Sequence, residues 1–243
     1  MSTYTAIFPT RSKENLRNCV KSLLKNSRHL DSIIVIWDGS KESFNDLPNF
    51  HTSKVHYIQN TGLDVYGMFN YGVKIAETDY VLLVNDDMYF PSDWDSKLPL
   101  KRNTVVTFLV VEPGYVPVNG KNITHNFGFT WESFQLEEFE KFGCDFREKG
   151  QILNGETGWY MPVVFPWKLF VDAGQYPVEP RFPFPNDIKF FDKLKSTIGV
   201  DFLQIMSPVY HFQRLSQRQQ SLRQKIWQQR HQVSRMAELL LSH

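Results

Sequence analysis

The stretch from Asp79 to Met88 constrains the fold more than any other part of this chain. Tyr80 to Val84 form an apolar run typical of a strand buried on both faces, and Asn85, Asp86 and Asp87 follow at once. Acids rarely lie against such a core unless they are paired or bind a metal. Because ligands of open α/β sheets bind beyond the carboxyl ends of the strands, the pattern predicts a ligand site here. A plain strand-to-loop turn also favours Asn and Asp.

Strand and helix patterns alternate over the first hundred residues. Tyr4 to Phe8, Ser32 to Trp37 and Val55 to Ile58 are strand-like, and helical apolar spacing begins after Ser12 and again at Val65. This alternation predicts a parallel sheet with right-handed crossovers. The polar clusters after the strands should therefore gather along one edge of the sheet. These clusters are residues 9–11, 38–40, 59–62 and 85–87.

The pattern changes after residue 100. A strand is predicted over Thr104 to Val111, and Trp131 to Phe142 is interpreted as a short helix or a lid. Further short elements are expected to follow. They are a strand at Val163 to Phe165, helices over Pro166 to Asp172 and Asn186 to Leu194, and two late strands, Phe202 to Ile205 and Val209 to His211.

Residues 213–243 are predicted to form one long amphipathic helix. Leu215, Leu222, Ile226, Val233 and Leu240 form an apolar stripe, and six Lys or Arg residues but no acid lie between residues 213 and 237. The stripe has a coiled-coil-like period, which is compatible with self-association. Contact with an anionic membrane surface is a second interpretation, and a helix that simply closes over the core is a third.

Composition limits the class of protein. A chain of 243 residues with 42% hydrophobic and 22% charged residues fits one soluble α/β domain. The formal net charge of +1 argues against a polyanion binder, so we expect no nucleic-acid partner. With no long apolar run, no signal-like start and two cysteines, the expected compartment is the cytoplasm.

Four motifs in this order resemble the GT-A nucleotide-sugar glycosyltransferases, in particular family 2. They are Phe8-Pro9-Thr10-Arg11, Val35 to Ser40, Gly67 to Ala76 and Tyr80 to Asp87, with a weaker similarity from Phe170 to Asp187. The resemblance implies a GT-A (Rossmann-like) α/β fold, with a mostly parallel central sheet flanked by helices, over residues 1–212. Residues 1–100 would bind the nucleotide-sugar and residues 101–212 the acceptor, with the amphipathic helix, residues 213–243, outside the resemblance.

The resemblance also implies roles on the donor side. Asp38 would accept hydrogen bonds from the nucleobase or ribose, and Arg11 would lie near the nucleotide. Asp87 matches the acid of the family's DxD element that binds metal and diphosphate. Asn85 stands where the first acid of that element is expected, which removes one charge from the metal site. The other expected nucleotide-sugar-binding residues are Pro9, Thr10, Asn60, Asn70 and Asp86.

A divalent cation follows from the chemistry as well as from the resemblance. Oxygen ligands after the strand suit Mg²⁺ or Mn²⁺, and such an ion stabilises the charge that develops on a departing diphosphate. His211 lies where several GT-A enzymes supply a metal-binding histidine. A histidine that only caps a strand end is the alternative interpretation.

The acceptor side depends more on the resemblance. An inverting transfer needs a base for the acceptor hydroxyl, and Asp187 stands at the matching helix start, where it could equally be an N-cap. Glu156 is the second candidate base. Trp159, Tyr160 and Phe182 are candidates to stack on an acceptor sugar, or they simply pack in the core.

The predicted function is metal-dependent transfer of a sugar, with inversion, from a nucleotide-sugar to a hydroxyl group of a glycan or another acceptor. A UDP-sugar is favoured over a GDP-sugar. One alternative is a non-catalytic carbohydrate- or nucleotide-binding module, suggested by the amides Asn85 and Asn186 at positions where acids are expected. A sugar nucleotidyltransferase is the other, although Pro9-Thr10-Arg11 replaces the Gly-rich loop of that class.

Overall fold

A computed structural model describes residues 2–114, 122–149, 152–154, 161–178, 186–197, 199–213 and 215. The chain divides into two compact units, Met1–Gln213 and Arg214–His243. The predicted C-terminal amphipathic helix falls almost wholly outside the described residues. Among the residues that are described, no helix is both long enough and apolar enough to cross a membrane.

Ten strands form one mixed sheet within the described part of the chain. They are β1 Tyr4–Thr10, β2 Leu30–Trp37, β3 Val55–Gln59, β4 Tyr80–Leu83, β5 Met88–Tyr89, β6 Thr104–Glu112, β7 Ile123–Thr124, β8 Ile152–Asn154, β9 Val163–Pro166 and β10 Asp201–His211. Their order is β3-β2-β1-β4-β9-β6-β10-β5, with β7 beside β6 and β8 beside β10. Strands β1 to β4 pair in parallel, as the strand–helix alternation predicted.

Six helices are described around this sheet. They are α1 Lys13–Asn26, α2 Lys41–Phe44, α3 Val65–Ile75, α4 Leu136–Lys149, α5 Trp167–Asp172 and α6 Asn186–Lys195. Side-chain caps fix where the long helices of the first half begin: Ser12 accepts a hydrogen bond from the N–H of Asn15, and Asp64 accepts one from the N–H of Gly67. A cap of this kind stabilises a helix by about 1 kcal/mol.

Strand β1 lies in the interior because it is covered on both faces. Ala6 and Phe8 belong to an apolar cluster that includes residues of α1. Ile7 points to the other face and joins a cluster that includes residues of α3, α5 and α6. At Gly72 the helix α3 comes so close to β1 that an added Cβ would lie 2.4 Å from a methyl carbon of Ile7. This packing fixes where the carboxyl end of β1 sits.

The second half differs from the sequence prediction in two elements and fixes the direction of a third. The two late strands are one strand, β10, whose register against β6 shifts between Ile205 and Pro208. Proline lacks the N–H that would continue the ladder, so the strand pattern is interrupted at this point although the strand continues. The predicted helix from Trp131 begins later, at Leu136. Strand β9 pairs antiparallel with β4 and β6, a direction that the sequence analysis left open.

Candidate active site

The ends of β1, β2 and β3 meet at one edge of the sheet and place Arg11, Asp38 and Asn60 together. A nitrogen of the Arg11 guanidinium lies 3.0 Å from Asp38 Oδ2, and Asn60 Nδ2 donates to Asp38 Oδ1 at 2.6 Å. The Arg11 side chain is 53% exposed, so the ion pair adds at most about 1 kcal/mol to stability. The ion pair matters for position, because it holds the Asp38 carboxylate at this edge of the sheet.

The next strand end adds Asp86 to this edge. The Thr10 hydroxyl donates to Asp86 Oδ2 at 2.8 Å, which connects the end of β1 to the segment after β4. The carbonyl of Asn85 accepts a weak hydrogen bond from the Cys19 thiol at 3.9 Å. Pro9 is buried within β1, opposite Ile36 of β2. The N–H of Asp38 also donates to the Thr10 carbonyl, so a series of pairwise contacts connects five of the expected donor-site residues: Thr10, Arg11, Asp38, Asn60 and Asp86.

Asp87 lies next to His211 because β5 pairs antiparallel with β10. Met88 is opposite His211 in this pairing, and the N–H of Phe212 donates to the Asp87 carbonyl at 3.0 Å. As a result, His211 Nε2 lies 3.3 Å from Asp87 Oδ1. On the other side of the ring, His211 Nδ1 lies 2.8 Å from Glu112 Oε1 at the end of β6.

Asp87 and Glu112 raise the pKa of His211. Burial lowers the pKa of His211, but the charge of Asp87 and the hydrogen bonds to Asp87 and Glu112 outweigh it and raise the pKa to about 10. A cationic ring is therefore favoured between the two carboxylates. Any metal ion that binds Nε2 has to displace a proton from it.

The side chains of Asp87 and His211 fit a divalent cation that has few protein ligands. Two atoms that bind one ion at about 2.1 Å lie roughly 3 Å apart, which matches the separation of Asp87 Oδ1 and His211 Nε2. The His211 Nδ1 contact with Glu112 is the arrangement that metal-binding histidines usually have. No group of three His, Cys, Asp or Glu residues suited to a metal is present among the described residues. Diphosphate oxygens and water would complete the shell, as Mg²⁺ commonly requires.

Asp187 lies in the first turn of α6 and contacts α3. Its Oδ1 accepts a hydrogen bond from the Tyr66 hydroxyl at 3.1 Å and from the N–H of Ile188 at 2.9 Å. The Tyr176 ring packs against Tyr66, with ring centroids 5.3 Å apart. Burial, and then the charge of Asp187, raises the pKa of Tyr176, so that phenol stays neutral. These contacts hold the Asp187 carboxylate beside the start of α3, the helix that follows β3.

In this structure the Asn70 side chain does not join the strand-end residues Thr10, Arg11, Asp38, Asn60 and Asp86. Its amide nitrogen donates to the carbonyl of Tyr176 at 2.8 Å, and its oxygen accepts from the N–H of Tyr176 at 3.0 Å. Both polar ends of the side chain thus hold the loop after α5. Four other predicted residues lie outside the described residues: Glu156, Trp159, Tyr160 and Phe182.

Two residues of the site were missed by sequence reasoning. Glu112 carried a usable signal, because it is an acid directly after the buried run Thr104 to Val111, as Asp86 and Asp87 are after β4. Tyr66 carried none. It stands in the apolar pattern of α3, and only the position of α6 makes its hydroxyl a partner for Asp187.

The architecture defines the class of protein. A solved structure of GalNAc-T7 with UDP, GalNAc and Mn²⁺ is similar to this chain, with a TM-score of 0.60 and 15% sequence identity. The match covers 87% of this chain and 44% of the GalNAc-T7 chain, so this chain spans less than half the length of that protein. At this identity the likeness concerns the fold alone. The fold is that of the GT-A glycosyltransferases, as predicted.

The family follows from the sequence. The family model described as "Glycosyl transferase family 2" matches residues 3–150, and the chain belongs to this family. No match is found among curated proteins. Family and fold therefore agree on the glycosyltransferase class.

Proposed function

We propose that this protein transfers a sugar from a nucleoside diphosphate sugar, in the first instance a UDP-sugar, to a hydroxyl group, with a divalent cation and with inversion. The observation that carries the proposal is the Asp87–His211 pair, whose ligand atoms are 3.3 Å apart. It lies one residue from Asp86, which Thr10 ties to the strand edge that holds Asp38. UDP and Mn²⁺ are chosen because the similar GalNAc-T7 structure contains both.

On the donor side, Asp38 can accept hydrogen bonds from the hydroxyls or N–H groups of the nucleoside. Arg11 and Asn60 hold this carboxylate in place before the ligand arrives. Asp87 and His211 would hold Mn²⁺ or Mg²⁺, which supplies charge neutralisation for the leaving diphosphate. Because Asn85 is an amide, it adds an oxygen but no charge to this region.

On the acceptor side, Asp187 is the proposed general base. The acceptor oxygen attacks the anomeric carbon, the bond from that carbon to the diphosphate oxygen breaks, and the hydroxyl proton passes to the Asp187 carboxylate. The leaving group departs as the nucleoside diphosphate. Hydrogen bonds from the Tyr66 hydroxyl and the Ile188 N–H orient one carboxylate oxygen and leave the other for the acceptor.

The amide at position 85 also favours a second candidate, a binding module without catalysis. A test that separates the two is calorimetry of UDP with and without Mn²⁺, followed by hydrolysis of the UDP-sugar. A metal-dependent enzyme should bind UDP far more tightly with Mn²⁺ and should hydrolyse the donor slowly without acceptor. A module that binds UDP equally in EDTA, with no donor hydrolysis, would contradict our proposal.

The Asp87→Ala variant sharpens this test. We expect loss of Mn²⁺-dependent UDP binding and of detectable donor hydrolysis, because the variant removes a cation ligand. Asp46→Ala is a suitable control, since it removes an acid whose side chain is 74% exposed. Circular dichroism would check that both variants fold. Unchanged donor hydrolysis in Asp87→Ala would show that no cation needed for the reaction binds at this strand end.

A further inference from the structure

We propose that Glu112 is a positioning residue that fixes the ring of His211 for cation binding. The inference rests on the proposed function, because it assigns Glu112 a role toward the same cation. It concerns a residue that the family resemblance did not identify. Glu112 comes from β6, whereas Asp87 follows β4.

The geometry places Glu112 and Asp87 on opposite sides of one imidazole ring. Glu112 Oε1 lies 2.8 Å from Nδ1, and Asp87 Oδ1 lies 3.3 Å from Nε2. The two ring nitrogens point away from each other, so a cation bound by Nε2 and Asp87 is out of reach of the Glu112 oxygen that contacts Nδ1. Glu112 can therefore act on the cation through His211 and not as a third ligand.

The Glu112 carboxylate is itself held in place. Strand β6 runs parallel to β10, with Val111 opposite Tyr210, so Glu112 and His211 lie at neighbouring strand ends. Asn122 Nδ2 donates to Glu112 Oε2 at 3.3 Å, which leaves Oε1 for the ring. Glu112 is only 7% exposed, and a buried carboxylate with fixed partners keeps its orientation.

The hydrogen bond has a chemical consequence for His211. When Nδ1–H is donated to Glu112, the lone pair of the neutral ring is on Nε2, the nitrogen that faces Asp87. A carboxylate partner also makes the metal-binding nitrogen more basic. Without Glu112 the neutral ring could turn or carry its proton on Nε2, and both changes would oppose binding of a cation.

The first measurement is Mn²⁺ affinity in the presence of UDP, from the electron paramagnetic resonance signal of free Mn²⁺. Losing the partner of a metal-binding histidine typically weakens metal binding by about 10–100-fold. We expect Glu112→Ala near the upper value. Glu112→Gln should be near tenfold, because its amide oxygen can still accept from Nδ1 but the charge is gone. Glu138→Gln, which removes an exposed acid in the first turn of α4, should leave the affinity unchanged.

The second measurement separates positioning from a merely structural ion pair. In wild-type protein saturated with UDP and Mg²⁺, ¹⁵N NMR of labelled histidine should place the His211 proton on Nδ1. In Glu112→Ala at saturating Mg²⁺, that Nδ1–H signal should broaden or disappear through faster exchange with water. In activity assays the KM for Mn²⁺ should rise while kcat at saturating Mn²⁺ stays close to wild type.

The outcomes are distinguishable. If wild type binds Mn²⁺ with UDP but Glu112→Gln and Glu112→Ala bind it equally well, Glu112 has no positioning role and the proposed function stands. If wild type itself binds no Mn²⁺, both proposals fail. Should Glu112→Ala not fold, Glu112→Gln decides alone, because an unchanged affinity in that variant also overturns the inference.

Discussion

Two groups of polar side chains at the sheet edge are built in different ways. The donor edge (Thr10, Arg11, Asp38, Asn60 and Asp86) comes from consecutive strands, β1 to β4, that pair in parallel. The second group (Asp87, Glu112 and His211), called the cation group after its proposed role, joins three distant segments, with Glu112 and His211 brought together by the pairing of β6 with β10. Each residue of the donor edge lies at or just after the end of a strand, so local sequence places it. The cation group forms only when strands that are distant in the sequence pair with each other.

Because the two groups are built differently, substitutions in each should have different effects. The donor-edge carboxylate Asp38 is held by Arg11 and Asn60, each of which follows its own strand directly. The cation group depends on β10, whose register against β6 shifts between Ile205 and Pro208 and then stays in the new register up to the residue before His211. We therefore expect variants of donor-edge residues to alter nucleotide affinity. Variants of residues outside the donor edge should instead alter kcat or the affinity for the cation.

The largest effect expected outside both groups is that of Asp187→Asn. General base catalysis typically contributes about 10²–10⁴-fold, so kcat should fall by roughly that factor. Donor affinity should hardly change, because the asparagine keeps the shape and can still accept from the Tyr66 hydroxyl. Steady-state kinetics and calorimetry with UDP and Mn²⁺ measure the two quantities separately. If affinity falls and kcat does not, Asp187 belongs to the donor pocket and the base lies elsewhere.

A smaller effect of the opposite kind is expected for Asp38→Asn at the donor edge. The variant replaces a charged acceptor and disturbs the contacts with Arg11 and Asn60. Hydrogen bonds to charged groups contribute about 1.5–3 kcal/mol, so the Kd for UDP should rise at least about tenfold. Turnover at saturating donor should stay near wild type. Asp46→Asn serves as the control, and a loss of kcat without a loss of affinity would contradict the division between the two groups.

The donor edge could be predicted from sequence because each of its residues follows a strand that carries its own pattern. Apolar runs that stop at Pro9-Thr10-Arg11, Asp38-Gly39-Ser40 and Asn85-Asp86-Asp87 place the side chains without any knowledge of distant contacts. The parallel pairing of β1, β2, β3 and β4 then brings them together. Family resemblance added the chemical roles, which periodicity alone does not provide.

The rest depends on contacts between distant segments. The Tyr66–Asp187 hydrogen bond joins residues 121 apart, and the His211–Glu112 contact joins residues 99 apart. No local pattern encodes either pair. The direction of β9 could not be predicted for the same reason, since Val163 to Phe165 is a short buried run whose direction is set by its neighbours β4 and β6. Asn70 lies in a resemblance motif, yet in this structure it holds the backbone of Tyr176.

The smallest expected effect is on stability and concerns Gly72, where α3 meets β1 beneath the donor edge. In Gly72→Ala the new Cβ would lie 2.4 Å from a methyl carbon of Ile7, so the helix or the strand must shift. Such overpacking costs about 1–3 kcal/mol, and the helix preference of Ala over Gly offsets up to about 1 kcal/mol. With the full offset the net loss is up to about 2 kcal/mol, which should lower Tm by up to roughly 8 °C in a chain of this size, measured by thermal unfolding.

Lys74→Ala is the matched control for Gly72→Ala, because it lies exposed on the same helix and should leave Tm nearly unchanged. A shift of α3 would also move Tyr66, which lies on this helix and donates to Asp187. Gly72→Ala should therefore lower kcat slightly at temperatures well below Tm while Mn²⁺ affinity stays constant, because the positions of Asp87 and His211 are set by the pairing of β5 with β10. A rise in Tm would mean that the α3–β1 contact is looser than the structure indicates. An equal loss of Mn²⁺ affinity would mean that the donor edge and the cation group are mechanically coupled through β1.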